Sequence, residues 1–433
     1  MHEPFSRRVL LKTLSSCGIW AFTAGRTRAA EPNRDVPVAP TGRADPALAS
    51  FDRLMASFVE RTRSPGAALA VTRGGRLVYA RGFGLADRAC RRPVQPTDRF
   101  RIASISKPIT AVAVLQLVER GRLRLETRVR EFLRLPEPAD RRWNDVTVLH
   151  LLRHTGGWDR DRSFDPMFRS IEIAKARKTA PPAGPHEIIR YMLDQPMDFD
   201  PGTRYAYSNF GYCLLGRVIE QASGQGYEEY VQANVLRLLG IGRMRLGKTL
   251  AELRAPDEVT YYDARGHKAP AVVGKIGRET PVPYGAFYLE AMDAHGGWIA
   301  SAVDLVRFAS AFDVPQACKV LSPASIETMF ARPEGPAGFE SDGTPKAAYY
   351  ACGWMVRPGA AGRAPNTWHT GGLSGTSTLL VRRHDGLNWA VLFNTDRGPD
   401  GKRLAGVIDP LVHRAADEVR SWPDIDLFAG ASP

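Results

Sequence analysis

The chain is poor in sulfur, has no long apolar run beyond its first residues, and has no block of a single charge. Of its five cysteines in 433 residues, none forms a C-x-x-C pair, which excludes a disulfide framework and a cysteine-based zinc site. After the N-terminus no stretch approaches the roughly 20 uninterrupted apolar residues that a bilayer span needs, so no transmembrane segment is expected in the body of the chain. Lys and Arg give a formal charge of +13, but they are scattered. No basic run is interleaved with aromatics, as a nucleic-acid groove would require, and the excess reads as a solvated basic surface. With 44% hydrophobic residues the chain can bury a sizeable core, in one composite domain or in two or three.

What is present begins with a leader. Residues 1–30 hold five Arg or Lys and one Glu, which puts +4 of the charge there and leaves +9 on the rest. Ser6-Arg7-Arg8-Val9-Leu10-Leu11-Lys12, a modestly apolar stretch from Thr13 to Gly25, and Ala29-Ala30-Glu31 follow the order of a removable signal. The paired arginines are of the twin-arginine type, a receptor-read address and not an anchor. Export to the periplasm is the expectation, with lipid attachment at Cys17 a lesser alternative. The expected organisation is a signal peptide over 1–30, a Pro-rich and Ala-rich linker over 31–46, a folded domain over 47–420 with a helical insertion over roughly 125–300, and a tail over 421–433.

Periodicity predicts a helix over Phe51–Arg61 and strands over Ala67–Thr72 and Leu77–Phe83, joined by an Arg73-Gly74-Gly75-Arg76 hairpin. Helices are predicted over Ala111–Arg120, Val146–His154, His186–Leu193, Asn209–Gln221, Tyr227–Leu239 and Ala302–Phe312. Trp158–Pro185 reads as a lid or binding loop and Arg254–Ala294 as irregular chain. Strands return at Tyr350–Val356, Thr376–Arg383 and Asn388–Asn394, before a last helix over Leu404–Val419. The implied fold class is α/β of the α+β type: one antiparallel sheet built from both ends of the chain, flanked by helices, with helical sequence inserted between.

Three short boxes carry chemistry. Ser104-Ile105-Ser106-Lys107 is the one S-x-x-K in the chain. Pro108 places it at a helix start, where Ser104 and Lys107, three residues apart, share a face. A serine hydroxyl is a weak nucleophile until a base takes its proton, and a lysine serves as that base once desolvation lowers its pKa. Ser106 points to another face. The second box, Tyr207-Ser208-Asn209, follows a Pro201-Gly202 turn. Beside a cation, Tyr207 could ionise or relay a proton, and Asn209 could bind a substrate amide or cap the next helix. The third, His369-Thr370-Gly371-Gly372, lies just before the strand Thr376–Arg383; it reads as a Gly-rich strand edge that brings a backbone N–H to a reacting carbonyl, or as a plain turn into that strand. His154-Thr155-Gly156-Gly157 repeats those letters at a helix end, where glycine serves as a C-cap. His150 and His154 lack the glutamate of a zinc H-E-x-x-H and read as structural, so neither metal nor cofactor is expected.

In this order the boxes resemble the S-x-x-K, Y-x-N and K-T-G or H-x-G set of class C β-lactamases, DD-peptidases and related esterases. Phe100–Leu115, Val146–Trp158, Pro201–Gly224, Gly296–Phe308 and Gly353–Asn394 are similar to segments of the same penicillin-binding-protein-like family. The resemblance implies a sheet with helices on both faces, an all-helical region beside it and a cleft between. It implies Ser104 as acylated nucleophile, Lys107 as base, Tyr207 as proton relay and Asn209 as substrate ligand. His369-Thr370-Gly371 would form a cleft wall, with the Ser104 and Gly372 amides as oxyanion hole. Where the β-lactamases have Lys this chain has His369, mostly neutral at pH 7 with an ordinary pKa of about 6.5. The missing cation favours an esterase over a β-lactamase or D-Ala-peptidase, unless Arg382 or Arg383 compensates. A non-catalytic binding module is the remote alternative, and a small-molecule ester, amide or β-lactam the expected partner.

Overall fold

A computed structural model describes residues 38–360 and 363–429. The expected signal peptide, the Cys17 alternative and residues 31–37 of the expected linker lie outside the described residues. In chain order the strands are β1 (Gly66–Arg73), β2 (Arg76–Asp87), β3 (Arg92–Pro93), β4 (Phe100–Arg101), β5 (Arg245–Leu246), β6 (Lys268–Pro270), β7 (Glu279–Pro281), β8 (Trp298–Ala300), β9 (Tyr349–Tyr350), β10 (Met355–Arg357), β11 (Asn366–Leu373), β12 (Thr376–Arg382) and β13 (Leu387–Phe393). Eight form one sheet in the order β3-β2-β1-β13-β12-β11-β10-β9, every neighbour antiparallel. The first hairpin thus pairs with the last, Leu69 opposite Val391, as an antiparallel sheet made from both ends of the chain requires.

Both faces of this sheet are covered, which is why its strands read as continuous apolar runs. In β13, Trp389, Val391 and Phe393 face a core built with Phe51, Met55 and Phe58 of the helix Ala49–Thr62 and Ile408 and Val412 of the helix Leu404–Asp417. Ala390 and Leu392 alternate to the other face and join Leu305 and Phe308 of the helix Ala302–Ser310. Each such large side chain contributes about 1.5–3 kcal/mol of hydrophobic stabilisation when fully buried. A slip of one residue in β13 would exchange the two sets, so both cores fix its register.

Between β4 and β8 the chain is mainly helical, with β4, β8 and β5 in a small sheet and β6 paired to β7. Several sequence expectations need correction. Trp158–Pro185 is not all loop: a 3-10 turn at Pro166–Phe168 leads to a helix at Ser170–Arg177, which buries only Ser170, Ile173 and Ala174 and so leaves a weak apolar stripe. The helix before His154 is shorter than predicted, Val148–Leu152, because His154 itself adopts a left-handed φ of 56°. The strand expected over Tyr350–Val356 is interrupted at Gly353, whose φ is 82° and where a Cβ would sit 3.0 Å from the Lys107 carbonyl oxygen. That close approach seats β9 and β10 against the helix Ser106–Glu119. Cys90, Cys213, Cys318 and Cys352 are free, and among the described residues no helix is long and apolar enough to cross a membrane.

Candidate active site

The first box is set by a turn. Ile102 N–H donates to the Trp298 carbonyl at 3.0 Å, and Ala103 then takes a left-handed φ of 47°. One 3-10 turn, Ala103–Ile105, feeds the helix Ser106–Glu119, with Pro108 in its first turn where no N–H partner is needed. Ser104 is thereby presented half-buried at the cleft. The Ser106 hydroxyl, by contrast, is spent on the turn, donating to the Ala103 carbonyl at 2.7 Å.

Lys107 is fully buried. Its Nζ lies 3.1 Å from Ser104 Oγ, 2.9 Å from Asn209 Oδ1 and 3.0 Å from the His295 carbonyl oxygen. The last two atoms can only accept. A neutral amine donates its two hydrogens to them and turns its lone pair to the Ser104 hydroxyl, as a general base must. Burial drives the Lys107 pKa well below its ordinary value; the Arg160 charge adds to this and the Asp165 charge opposes it.

Tyr207 precedes the helix Asn209–Ser223, whose N-cap is Ser208, its hydroxyl accepting from the Gly211 N–H at 3.2 Å. Asn209 is therefore not the cap, and its amide is free to join the site. Lys107 Nζ lies 4.7 Å from the centre of the Tyr207 ring, and the phenol hydrogen-bonds to Ser104. Burial raises the Tyr207 pKa, with the Ser104 bond and Arg160 acting against it. Of the two possibilities read from sequence, ionisation is thus disfavoured, and Tyr207 acts as a neutral phenol.

The third box precedes the strand Thr376–Arg382 as expected and is itself strand, not turn: it lies within β11, with His369 opposite Leu380 and Gly371 opposite Thr378. A Cβ on Gly371 would collide with the Ile102 carbonyl and the Thr378 hydroxyl, so the glycine lets β11 close on the turn that carries Ser104. His369 Nδ1 lies 2.7 Å from the Thr370 carbonyl, which can only accept, so this nitrogen carries the proton and Nε2 accepts from Tyr350 Oη at 3.0 Å. Burial, assisted by Lys107, pushes the His369 pKa down to about 3. The imidazole is neutral throughout the physiological range.

Two adjoining lobes open from Ser104. One, about 510 Å³, is lined by Tyr207, His369, Thr370 and Gly371; the other, about 360 Å³, by Asp165, Phe168, Asn209 and Leu373. Ser104, Arg160, Gly372 and Arg403 border both. A carbonyl held at Ser104 would extend its two substituents into separate lobes, with Gly372 beside the reacting carbon.

This architecture has counterparts. The family described as Beta-lactamase matches residues 51–412. The chain belongs to that family. It is 31% identical to esterase EstB of Burkholderia gladioli over 80% of this chain and 90% of that protein. It is 28% identical to a putative fimbrial assembly protein FimD of Dichelobacter nodosus, over 64% of this chain and 66% of that one. The octameric penicillin-binding protein homologue from Pyrococcus abyssi superposes with a TM-score of 0.61 at 26% identity, covering 84% of this chain and 77% of that one. As a member of the β-lactamase family the chain is a serine hydrolase.

Within this β-lactamase family member, all eight residues singled out from sequence gather around one cleft. The cations suggested in place of a lysine at His369 do not. Arg382 is buried under the helix Ala302–Ser310, donating to the Ala309 carbonyl and pairing with Asp313 at 3.2 Å. Arg383 pairs with Asp385 and Asp417 at 2.7 and 2.6 Å. The cleft's cations are instead Arg160 and Arg403, neither foreseen. Also unforeseen are Asp165, Tyr350 and the His295 carbonyl. His154, set aside as a helix end, packs its ring 4.3 Å from that of Tyr207 and accepts from the Ser208 N–H at 3.2 Å. His150 closes a capping box with Thr147. Among the described residues no cluster of His, Cys, Asp and Glu could hold a metal ion.

Proposed function

We propose that this chain hydrolyses a carboxylic ester through an acyl-enzyme on Ser104, and that it acts after export to the periplasm, as the leader sequence suggests. One observation carries the chemistry: a buried Lys107 amine, its hydrogens held by two acceptors, within 3.1 Å of Ser104 Oγ. Ser104 Oγ attacks the carbonyl carbon while its proton passes to Lys107 Nζ. Charge on the carbonyl oxygen is taken up by the Ser104 and Gly372 amides. The ester C–O bond then breaks, the leaving alcohol takes a proton from the Tyr207 phenol, and Lys107 returns its own proton to Tyr207. A water molecule, deprotonated along the same route, releases the acid and regenerates Ser104.

The ester is favoured because the neutral His369 supplies no fixed cation, and the extended similarity to an esterase is in keeping with this. A second reading, a β-lactam or peptide substrate bearing a carboxylate, draws support from Arg160 and Arg403 at the seam of the two lobes. The test is fluorophosphonate labelling of the mature chain followed by turnover of p-nitrophenyl esters of increasing length beside nitrocefin. Labelling is expected at Ser104 and absent in Ser104→Ala, with esters turned over faster than nitrocefin. Labelling that persists in Ser104→Ala would end the proposal, and nitrocefin outpacing every ester would transfer it to the second reading.

A further inference from the structure

The segment 158–185, a lid or binding loop by sequence, sends one side chain to the amide that holds the base. Asp165 caps the 3-10 turn Pro166–Phe168, accepting from the Met167 N–H at 3.1 Å through one oxygen. Its other oxygen accepts from Asn209 Nδ2 at 2.6 Å. Asn209 Oδ1 in turn accepts from Lys107 Nζ at 2.9 Å, and Lys107 lies 3.1 Å from Ser104 Oγ. An amide group can present either end to a lysine. With its nitrogen turned to Lys107 it would offer hydrogens where an acceptor is needed, and the lone pair of a neutral amine would be drawn away from Ser104. A carboxylate on the far side removes this choice, because it accepts only from the nitrogen end.

We infer that Asp165 is a positioning residue of the acylation machinery: its carboxylate fixes the Asn209 amide with the oxygen on Lys107, and its charge acts on the base across that amide. This rests on the acyl-enzyme reading for its consequence in turnover, but the geometry stands apart from any substrate. The charges facing Lys107 come from several elements. Arg160, from the same segment as Asp165, lies 4.7 Å over the Tyr207 ring and disfavours the ammonium. Asp165 favours it. His154, His295 and His369 also face Lys107, and burial, with the lysine's own field, lowers all three pKa values and leaves them uncharged at neutral pH. Tyr207 and Tyr212 present ring faces at 4.7 and 5.6 Å, their phenols held protonated by burial. The field on Lys107 is therefore decided by one cation and one anion, both supplied by the segment 158–185.

The experiment compares the mature protein with Asp165→Asn, Asp165→Ala and Arg160→Gln. The variant asparagine keeps the size of the side chain and can still accept from Asn209 Nδ2, so it removes the charge and spares most of the packing. Titration of Lys107 is followed by NMR of ¹³Cε-labelled lysine, its resonance assigned with Lys107→Met, and kcat/KM is followed against pH on an ester. With the anion gone the ammonium loses its stabilisation. The Lys107 midpoint and the acidic limb of kcat/KM are expected to move to lower pH in Asp165→Asn, by about one unit for opposite charges across a short amide. Arg160→Gln is expected to move both the other way. Asp165→Ala, which also frees the amide, is expected to add a loss of kcat of about tenfold, with KM changed less. A merely structural Asp165 would lower the melting temperature and activity with the Lys107 midpoint unmoved in Asp165→Asn, and that result overturns the inference. Because the NMR titration needs no substrate, failure of the esterase reading would leave this measurement standing and decisive.

Discussion

Replacement of Arg403 by glutamine tests what the cleft is built to receive. Arg403 borders both lobes and lies against Gly372, where a Cβ would strike its guanidinium. Among the described residues it makes no ion pair, unlike Arg382 and Arg383, whose charges are already matched. A hydrogen bond from a guanidinium to a substrate carboxylate is worth about 1.5–3 kcal/mol when sheltered. Arg403 is exposed to solvent in the free protein, which reduces the expectation to about 1 kcal/mol. At 1.4 kcal/mol per factor of ten, kcat/KM should fall about fivefold for an ester bearing a carboxylate next to the reacting carbonyl. Its neutral isostere should be unaffected, because Arg403 has no part in the proton transfers. The assay measures both esters with wild type and Arg403→Gln at two salt concentrations, since a solvent-exposed attraction also weakens as the Debye length shrinks from about 10 Å at 0.1 M to about 3 Å at 1 M. An equal loss on both esters, or a salt-independent ratio, would refute the view that this arginine reads substrate charge.

Tyr207→Phe keeps the ring and removes the phenol; kcat should fall about 100-fold or more, with the acyl-enzyme accumulating and visible as an adduct on intact-protein mass spectrometry. Gly371→Ala should cost at least tenfold in kcat/KM and lower the melting temperature, because its methyl meets the Ile102 carbonyl behind Ser104; an active variant of unchanged stability would contradict the close packing of β11 on that turn. Asp140 is held down to about 2, first by its Arg142 bond. Its folded pKa lies below the unfolded value, so its stabilisation is complete above about pH 4 and is lost as pH falls toward 2; since the pair is partly solvated it is worth about 1 kcal/mol. Urea melts of Asp140→Asn and wild type should therefore differ at pH 6 and converge near pH 2.

The features legible in the sequence are those fixed by a single local element. Ser104 and Lys107 meet because residues three apart on a helix must, and Pro108 marks where that helix begins. The terminal strands were readable because burial on both faces leaves Leu387–Phe393 almost wholly apolar. The third box precedes the strand Thr376–Arg382 as expected, but the full strand Asn366–Leu373 that contains it is not legible, since two consecutive glycines carry no β-propensity of their own. Its pairing with Thr376–Arg382 and the backbone of Ile102 behind it make it a strand. The helix Ser170–Arg177 escaped notice because its buried face is only three residues wide.

The residues that escaped entirely share a different property. Asp165 meets Asn209 across 44 positions, Tyr350 meets His369 from a separate strand, and Arg160 and Arg403 come to one seam from a surface segment and from the residue before the last helix. No periodicity links such pairs, so only the closed fold reveals them. The boxes gather the serine, the amine, the phenol and the amide that the proposed acylation uses. They leave the charge of the cleft open, because every imidazole near Lys107 is neutral and the remaining charges come from residues outside them. Two chains with the same boxes can therefore hold the same base and differ in its pKa and in the sign of substrate they admit. For this chain that difference resides in Arg160, Asp165 and Arg403, and exchanging those three side chains, with the boxes untouched, should shift the pH profile and the preference for charged esters while acylation still occurs at Ser104.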